Sequence, residues 1–94
     1  MITAASPANA ATDNVWSRLA TCESSSNWAA HTGNGFTGGL QFTKSTWRQF
    51  GGTAFAPTAN EASRGQQVVI AKRVQAAQGW NAWPSCSRKI GLAG

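Results

Sequence analysis

The sequence predicts a single small α+β domain, mostly helical, with a short antiparallel hairpin and one disulfide. Three observations carry this. Runs at 14–23, 45–50 and 59–78 place apolar residues at helical spacing between residues that start and stop helices. Between the first two runs, Asn34-Gly35 precedes an alternation of Phe36, Gly38, Leu40 and Phe42, the pattern of a turn feeding a strand pair. Cys22 and Cys86 lack metal-ligand spacing, so a cross-link is the better use of both than two free thiols. With 94 residues there is no room for a second core.

Residues 1–11 hold Ala8-x-Ala10, the small-residue pattern that precedes signal-peptidase cleavage. They are expected to be a flexible remnant outside the fold, with the domain at 12–94. Asp13 is the expected N-cap of the first helix, in which Trp16, Leu19, Ala20 and Glu23 share one face. The serine run after Glu23 should end it. In the hairpin, Phe36, Gly38, Leu40 and Phe42 should alternate onto one face, leaving Thr37, Gly39 and Gln41 on the other. A short helix at 45–50 carries Trp47 and Phe50 and stops at Gly51-Gly52. The longest helix, at 59–78, should start at a Thr58-x-x-Glu61 capping box. Its buried stripe is Ala62, Val69, Ile70, Val74 and Ala77, and Gly65 inside it costs about 1 kcal/mol relative to Ala. Residues 79–86 return to the first helix. A Cys22–Cys86 bond would span 64 residues, for which chain entropy alone gives about 4 kcal/mol. It implies an oxidising compartment and therefore secretion.

Composition excludes several classes of function. Two cysteines and the lone His31 make a poor metal set, and no Ser or Cys has a His at the spacing of a nucleophilic triad. The net charge of +5 favours a polyanionic partner, but the basic residues are scattered apart from Lys72-Arg73 and Arg88-Lys89, so a solvated surface explains them better than nucleic-acid binding. No apolar run approaches the length of a membrane helix. Only three carboxylates exist: Asp13, Glu23 and Glu61. Two of them are accounted for as helix caps. Glu23 is not, and it sits on an apolar face near the negative end of a helix dipole, where both effects keep a carboxyl protonated. That is the state a general acid needs; a surface Glu at a frayed helix end is the alternative. His31 reads as a solvated loop residue. Trp16, Trp47 and Trp80 read as core, while Trp28 and Trp83, beside turns, are free to stack on a ring. Asn27, Thr32 and Gln41 are neutral residues of the kind that orient sugar hydroxyls.

The blocks Cys22-Glu23-Ser24-Ser25-Ser26-Asn27-Trp28, Thr32-Gly33-Asn34-Gly35-Phe36, Gly38-Gly39-Leu40-Gln41-Phe42, Ser45-Thr46-Trp47 and 78–86, in that order, resemble the catalytic domain of the resuscitation-promoting factors. These are secreted actinobacterial peptidoglycan hydrolases. The resemblance implies a cut-down lysozyme-like, lytic-transglycosylase-like fold, with a sugar cleft between a few helices and a small sheet. It implies Glu23 as the catalytic acid, Thr46 and Gln78 as cleft residues, Asn27, Trp28 and Gln41 in motif blocks beside them, and Cys22–Cys86 as the family disulfide. Ser25-Ser26 stands where the family has Gly-Gly, His31 where it has Asn, Thr37 where it has an aromatic and Gly65 where it has an acid.

The activity so implied is cleavage of the β-1,4 bond between N-acetylmuramic acid and N-acetylglucosamine, without a cofactor or metal. A catalytically silent wall-binding module is the rival. The expected partner is the peptidoglycan glycan strand, with a second cell-wall hydrolase as candidate protein partner; nucleic-acid binding and membrane insertion are not expected. The chain should be a secreted, wall-associated monomer. Glycosidases ordinarily flank the bond with two carboxylates. Asp13 lies ten residues up the same helix, about 15 Å away, so a single-acid, lytic transglycosylase route is expected over muramidase hydrolysis.

Overall fold

Trp16, Leu19 and Ala20 are buried along the inner face of helix α1 (Ala5–Ser24), the stripe that their spacing predicts. The computed structural model describes the backbone of residues 5–14 and all of residues 15–31 and 33–92. Residues 1–4, Thr32 and residues 93–94 lie outside the described residues. Helix α1 begins at Ala5, so Asp13 is inside it and does not mark its start. Its carboxy end closes through backbone bonds from Ser25 to Thr21 O and from Ser26 to Ala20 O. Ser25 and Ser26 take φ of 58° and 63° there, a left-handed conformation that glycine would adopt with less strain.

Strands β1 (Phe36–Thr37) and β2 (Phe42–Thr43) pair antiparallel, Phe36 with Thr43 and Thr37 with Phe42. The expected turn is displaced. Residues 38–41 reverse the chain between the strands, with Gly38 and Gln41 at positive φ, while Asn34-Gly35 sits in a wider loop closed by a bridge between His31 and Thr37. The expected alternation fails with it: Phe36 is 41% exposed, whereas Thr37, Gly38, Gly39 and Leu40 are all buried. Two-residue strands are too short to impose a period, and the turn itself is pressed into the core. A Cβ on Gly39 would run into the Trp28 ring.

Helix α2 (Lys44–Gln49) is capped by Thr43, whose hydroxyl accepts from the Thr46 backbone at 3.1 Å. Trp47, fully buried, donates from its indole to Ala56 O at 2.8 Å. The capping box expected at Thr58 does not form. Residues Ala59–Glu61 make a 3-10 turn with no side-chain cap, the backbone re-extends at Ala62, and helix α3 (Arg64–Gln78) starts instead from a reciprocal Ser63–Gln66 box. Gly65 thus falls in the first turn, where its cost is lower. The buried stripe of α3 is Gln67, Ile70, Ala71 and Val74, while Val69 and Ala77 are exposed.

Gln67 takes a core position because it is saturated. Its side-chain oxygen accepts from Gly39 N at 2.9 Å, and its amide nitrogen donates to Trp28 O at 2.8 Å and Ala62 O at 3.0 Å. Leaving buried backbone groups unpaired is costly, so this one side chain welds α3 to the glycine turn.

A 3-10 turn (Gly79–Ala82) and helix α4 (Pro84–Lys89) bring the chain back to α1. There Cys22 and Cys86 are bonded. Trp16, Trp80 and Trp83 cluster at centroid separations of 5.1 to 6.2 Å. Trp83 is core, 4% exposed, with its indole donating to Leu40 O at 3.0 Å.

Replacing Gln67 by Leu preserves volume but strands three backbone groups. Denaturant unfolding should show a loss of about 2–4 kcal/mol; an unchanged midpoint would mean that the three bonds contribute nothing net.

Candidate active site

Glu23 occupies the last turn of α1, next to the disulfide, on the face that carries Trp16, Leu19 and Ala20. Its carboxyl is half-buried and held above its ordinary range by desolvation, since burial penalises the charged form. Among the described residues it accepts no hydrogen bond and forms no ion pair that would offset that penalty.

The carboxyl lines a groove of about 370 Å³ together with Asn34, Phe36, Gln41, Trp83 and Ser85. Phe36, Gln41, Ala82 and Trp83 also line an adjoining compartment of about 100 Å³, which reaches Thr46 and Gln78. The two share Phe36, Gln41, Ala82 and Trp83 as common walls, residues of the hairpin on one side and of the 79–85 return on the other. Glu23 is the only acid among the lining residues; the others are aromatic, small or neutral hydrogen-bonding groups.

Local structure sets each side chain. Gln41 closes the strand turn through its own amide, which donates to Gly38 O at 3.1 Å. Thr46 follows the capping threonine, whose hydroxyl donates to Thr46 Oγ1 at 3.0 Å. Gln78 ends α3 and is exposed, because Gly79 turns the chain away from the helix axis. Asn34 accepts from Phe36 N at 3.1 Å and so shapes the loop that holds Phe36 out.

Of the residues expected to bind substrate, the structure places Gln41 in the groove with Glu23, and Thr46 and Gln78 in the adjoining compartment that Gln41 also lines. Asn27 and Trp28 are not among its lining. Asn27 Oδ1 accepts from Ala29 N at 3.1 Å, and the Trp28 ring lies between Gly39 and the Arg64 guanidinium, 5.4 Å from the ring centroid. Thr32 lies outside the described residues. Sequence reasoning missed Phe36, Asn34 and Ser85 as lining residues. The Asn34-Gly35-Phe36 spacing was visible, but nothing in it shows that the phenylalanine turns outward. No group of three or more His, Cys, Asp or Glu gathers among the described residues, and no described helix is long and apolar enough to cross a membrane.

An isolated, half-buried carboxyl in a groove otherwise free of acids is suited to donating a proton to a neutral substrate. The transglycosylase-like domain family matches the chain over residues 10–86. The chain belongs to that family. It is 54% and 56% identical to two resuscitation-promoting factors of Corynebacterium glutamicum, over 97% and 90% of this chain and 26% and 44% of theirs. It is 53% identical to resuscitation-promoting factor RpfA of Mycobacterium tuberculosis, over 98% of this chain and 23% of that one. The chain thus spans less than half the length of these relatives, and the family match takes in the Glu23 turn, the hairpin, the groove and the disulfide.

The raised Glu23 pKa has a sign that stability measurements can read. A carboxyl with a higher pKa folded than unfolded holds its proton more tightly in the native chain. As pH rises, the unfolded chain ionises first, so stability is fully present below the ordinary value of 4.5 and declines until the native carboxyl ionises. The advantage of Glu23→Gln over wild type should therefore grow as pH rises from 3 to 7. A difference independent of pH would show that burial does not perturb the group.

Proposed function

We propose that this domain, at residues 12–94, is a peptidoglycan glycosidase that cleaves the β-1,4 bond between N-acetylmuramic acid and N-acetylglucosamine with Glu23 as its one acid and base. The observation that carries the reading is Glu23 itself: its pKa raised by burial, and alone among the groove's described lining in bearing an acid. The family supports the class of reaction, and the relatives' names support a role in resuscitation. By the same likeness and the disulfide, the site of action is the cell wall outside the cell.

A glycan lying along the groove meets the exposed Phe36 ring and the neutral groups of Gln41, Thr46 and Gln78, which suit sugar faces, hydroxyls and acetamides. Glu23 donates its proton to the glycosidic oxygen as the bond to the anomeric carbon breaks. The carboxylate so formed then takes the proton of the muramic 6-hydroxyl, whose oxygen closes on the same carbon. Among the described residues the groove offers no second carboxylate to activate a water or trap the sugar, which favours attack from within the substrate. The product is a 1,6-anhydromuramic end, lighter by one water than a hydrolysed end.

Mass spectrometry of digested peptidoglycan tests this. Anhydro ends are expected; fragments with reducing muramic acid alone would overturn the single-acid route in favour of muramidase hydrolysis, and retention of glycan without fragments would overturn the enzyme reading. Glu23→Gln should lose cleavage by at least about a hundredfold, the scale of removing a general acid, while still binding strands. Thr46→Ala and Gln78→Ala should weaken strand binding severalfold, about 1 kcal/mol per lost hydrogen bond, with melting nearly unchanged. A drop in melting as large as that of a core truncation would reassign them to structure.

A further inference from the structure

Phe36 stands on a divide. One side of it faces the groove, and it also lines a separate cavity of about 270 Å³, whose walls include His31, Thr37, Lys44 and Thr58. Three side-chain donors meet there with nothing to bind. Lys44 and His31 are exposed, and neither side chain has a hydrogen bond or ion pair among the described residues. Thr58 does not cap the turn that follows it, so its hydroxyl is unspent as well. No Asp or Glu lines the cavity. Glu23 belongs to the groove, and Glu61, the acid nearest in sequence, is exposed on the 3-10 turn outside the lining. The backbone of His31 is fixed by its bridge to Thr37, and Lys44 opens α2 directly after β2, so both side chains are mounted on paired elements.

A cavity lined by unpartnered donors, one of them the unneutralised Lys44 ammonium, without an opposing carboxylate among its described lining, is complementary to an anion. Its position says which anion. A sugar held in the groove beside Phe36 is one residue-width from the cavity, so a branch leaving that sugar crosses the Phe36 edge into it. In peptidoglycan only the muramic unit carries such a branch, the 3-O-lactyl ether, which ends in a carboxylate of its own or in a peptide stem with carboxylates. We infer that the His31–Lys44–Thr58 cavity is a subsite for a carboxylate on the muramic branch, and that it sets which sugar of the alternating strand lies beside Glu23. The inference rests on the peptidoglycan reading above. Registering the branch makes cleavage fall at muramic acid, since a strand shifted by one sugar offers the cavity no anion.

The test compares the affinity of three defined strands of equal length by titration calorimetry: stem-bearing, stem-free with a free lactyl carboxylate, and unbranched chito-oligosaccharide. Glu23→Gln is the background, so that no strand is consumed. The anionic strands should bind about fivefold tighter than the neutral one, the scale of one partly exposed charge and its accompanying hydrogen bonds, with the gap narrowing at high salt. His31→Asn with Lys44→Gln should bring the gap below twofold and leave chito-oligosaccharide affinity unchanged; both residues are exposed, so the fold should persist. Lys44→Glu alone, the second variant, should turn the preference against anionic strands. A preference confined to stem-bearing strands assigns the anion to the stem, and one shared by both anionic strands assigns it to the lactyl group. Equal affinities in the parent protein, or a preference that survives both variants, would overturn the subsite. Digestion by the wild type is read separately: failure to cut overturns the glycosidase reading, while the calorimetry still decides the subsite.

Discussion

The bond between Cys22 and Cys86 joins the end of α1 to the start of α4, and the groove is what lies between those two elements. Glu23 follows Cys22 directly, and Pro84 and Ser85, on the facing wall, directly precede Cys86. A chain of this size buries too little surface to hold two distant segments in register by packing alone. The cross-link removes that freedom at the one place where the position of the acid is decided. The Trp16, Trp80 and Trp83 cluster backs it from beneath, and Arg18 adds a bond from α1 to Ile90 O at 2.6 Å.

Charge does little of the structural work. Charged residues are 12% of the chain, and the buried polar tasks fall to neutral side chains aimed at backbone, while the arginine bonds lie at the surface. Gln67 bonds Gly39, Trp28 and Ala62, while the indoles of Trp47 and Trp83 reach Ala56 and Leu40. Such bonds satisfy buried peptide groups without importing a charge that would need desolvation. One consequence is that, among the described residues, no cation pairs with Glu23. A nearby Lys or Arg would lower its pKa, whereas burial alone raises it. The sparse charge and the raised carboxyl are two sides of one arrangement.

The glycine turn at 38–41 shows how tightly support and site are coupled. Gly38 and Gly39 allow Gln67 and Trp28 to press against the turn from within, and the same turn puts Gln41 into the groove. Asn27 and Trp28, which the motif blocks placed beside the cleft, contribute to this support: Asn27 shapes the loop and Trp28 backs the turn.

By itself the sequence determined the fold class, the inner face of α1 and the pairing of Cys22 with Cys86, because each depends on local period or on counting a scarce residue type. Helical stripes are periodic over many residues, and two cysteines leave few assignments. The capping roles that set Asp13 and Glu61 aside from Glu23 do not form, and what distinguishes Glu23 is its desolvation in the groove. Only the tertiary structure decided the rest. Two-residue strands carry no period, so the outward Phe36 and inward Thr37 follow from where the core presses on the turn. Thr58-x-x-Glu61 and Ser63-x-x-Gln66 are equivalent as local patterns, and packing of Ala59 and Ala62 selected the second. Gln67 reads as surface until its three backbone partners, all distant or bent back from it, are assembled around it. Long-range contact, which no window of sequence contains, is the reason in each case.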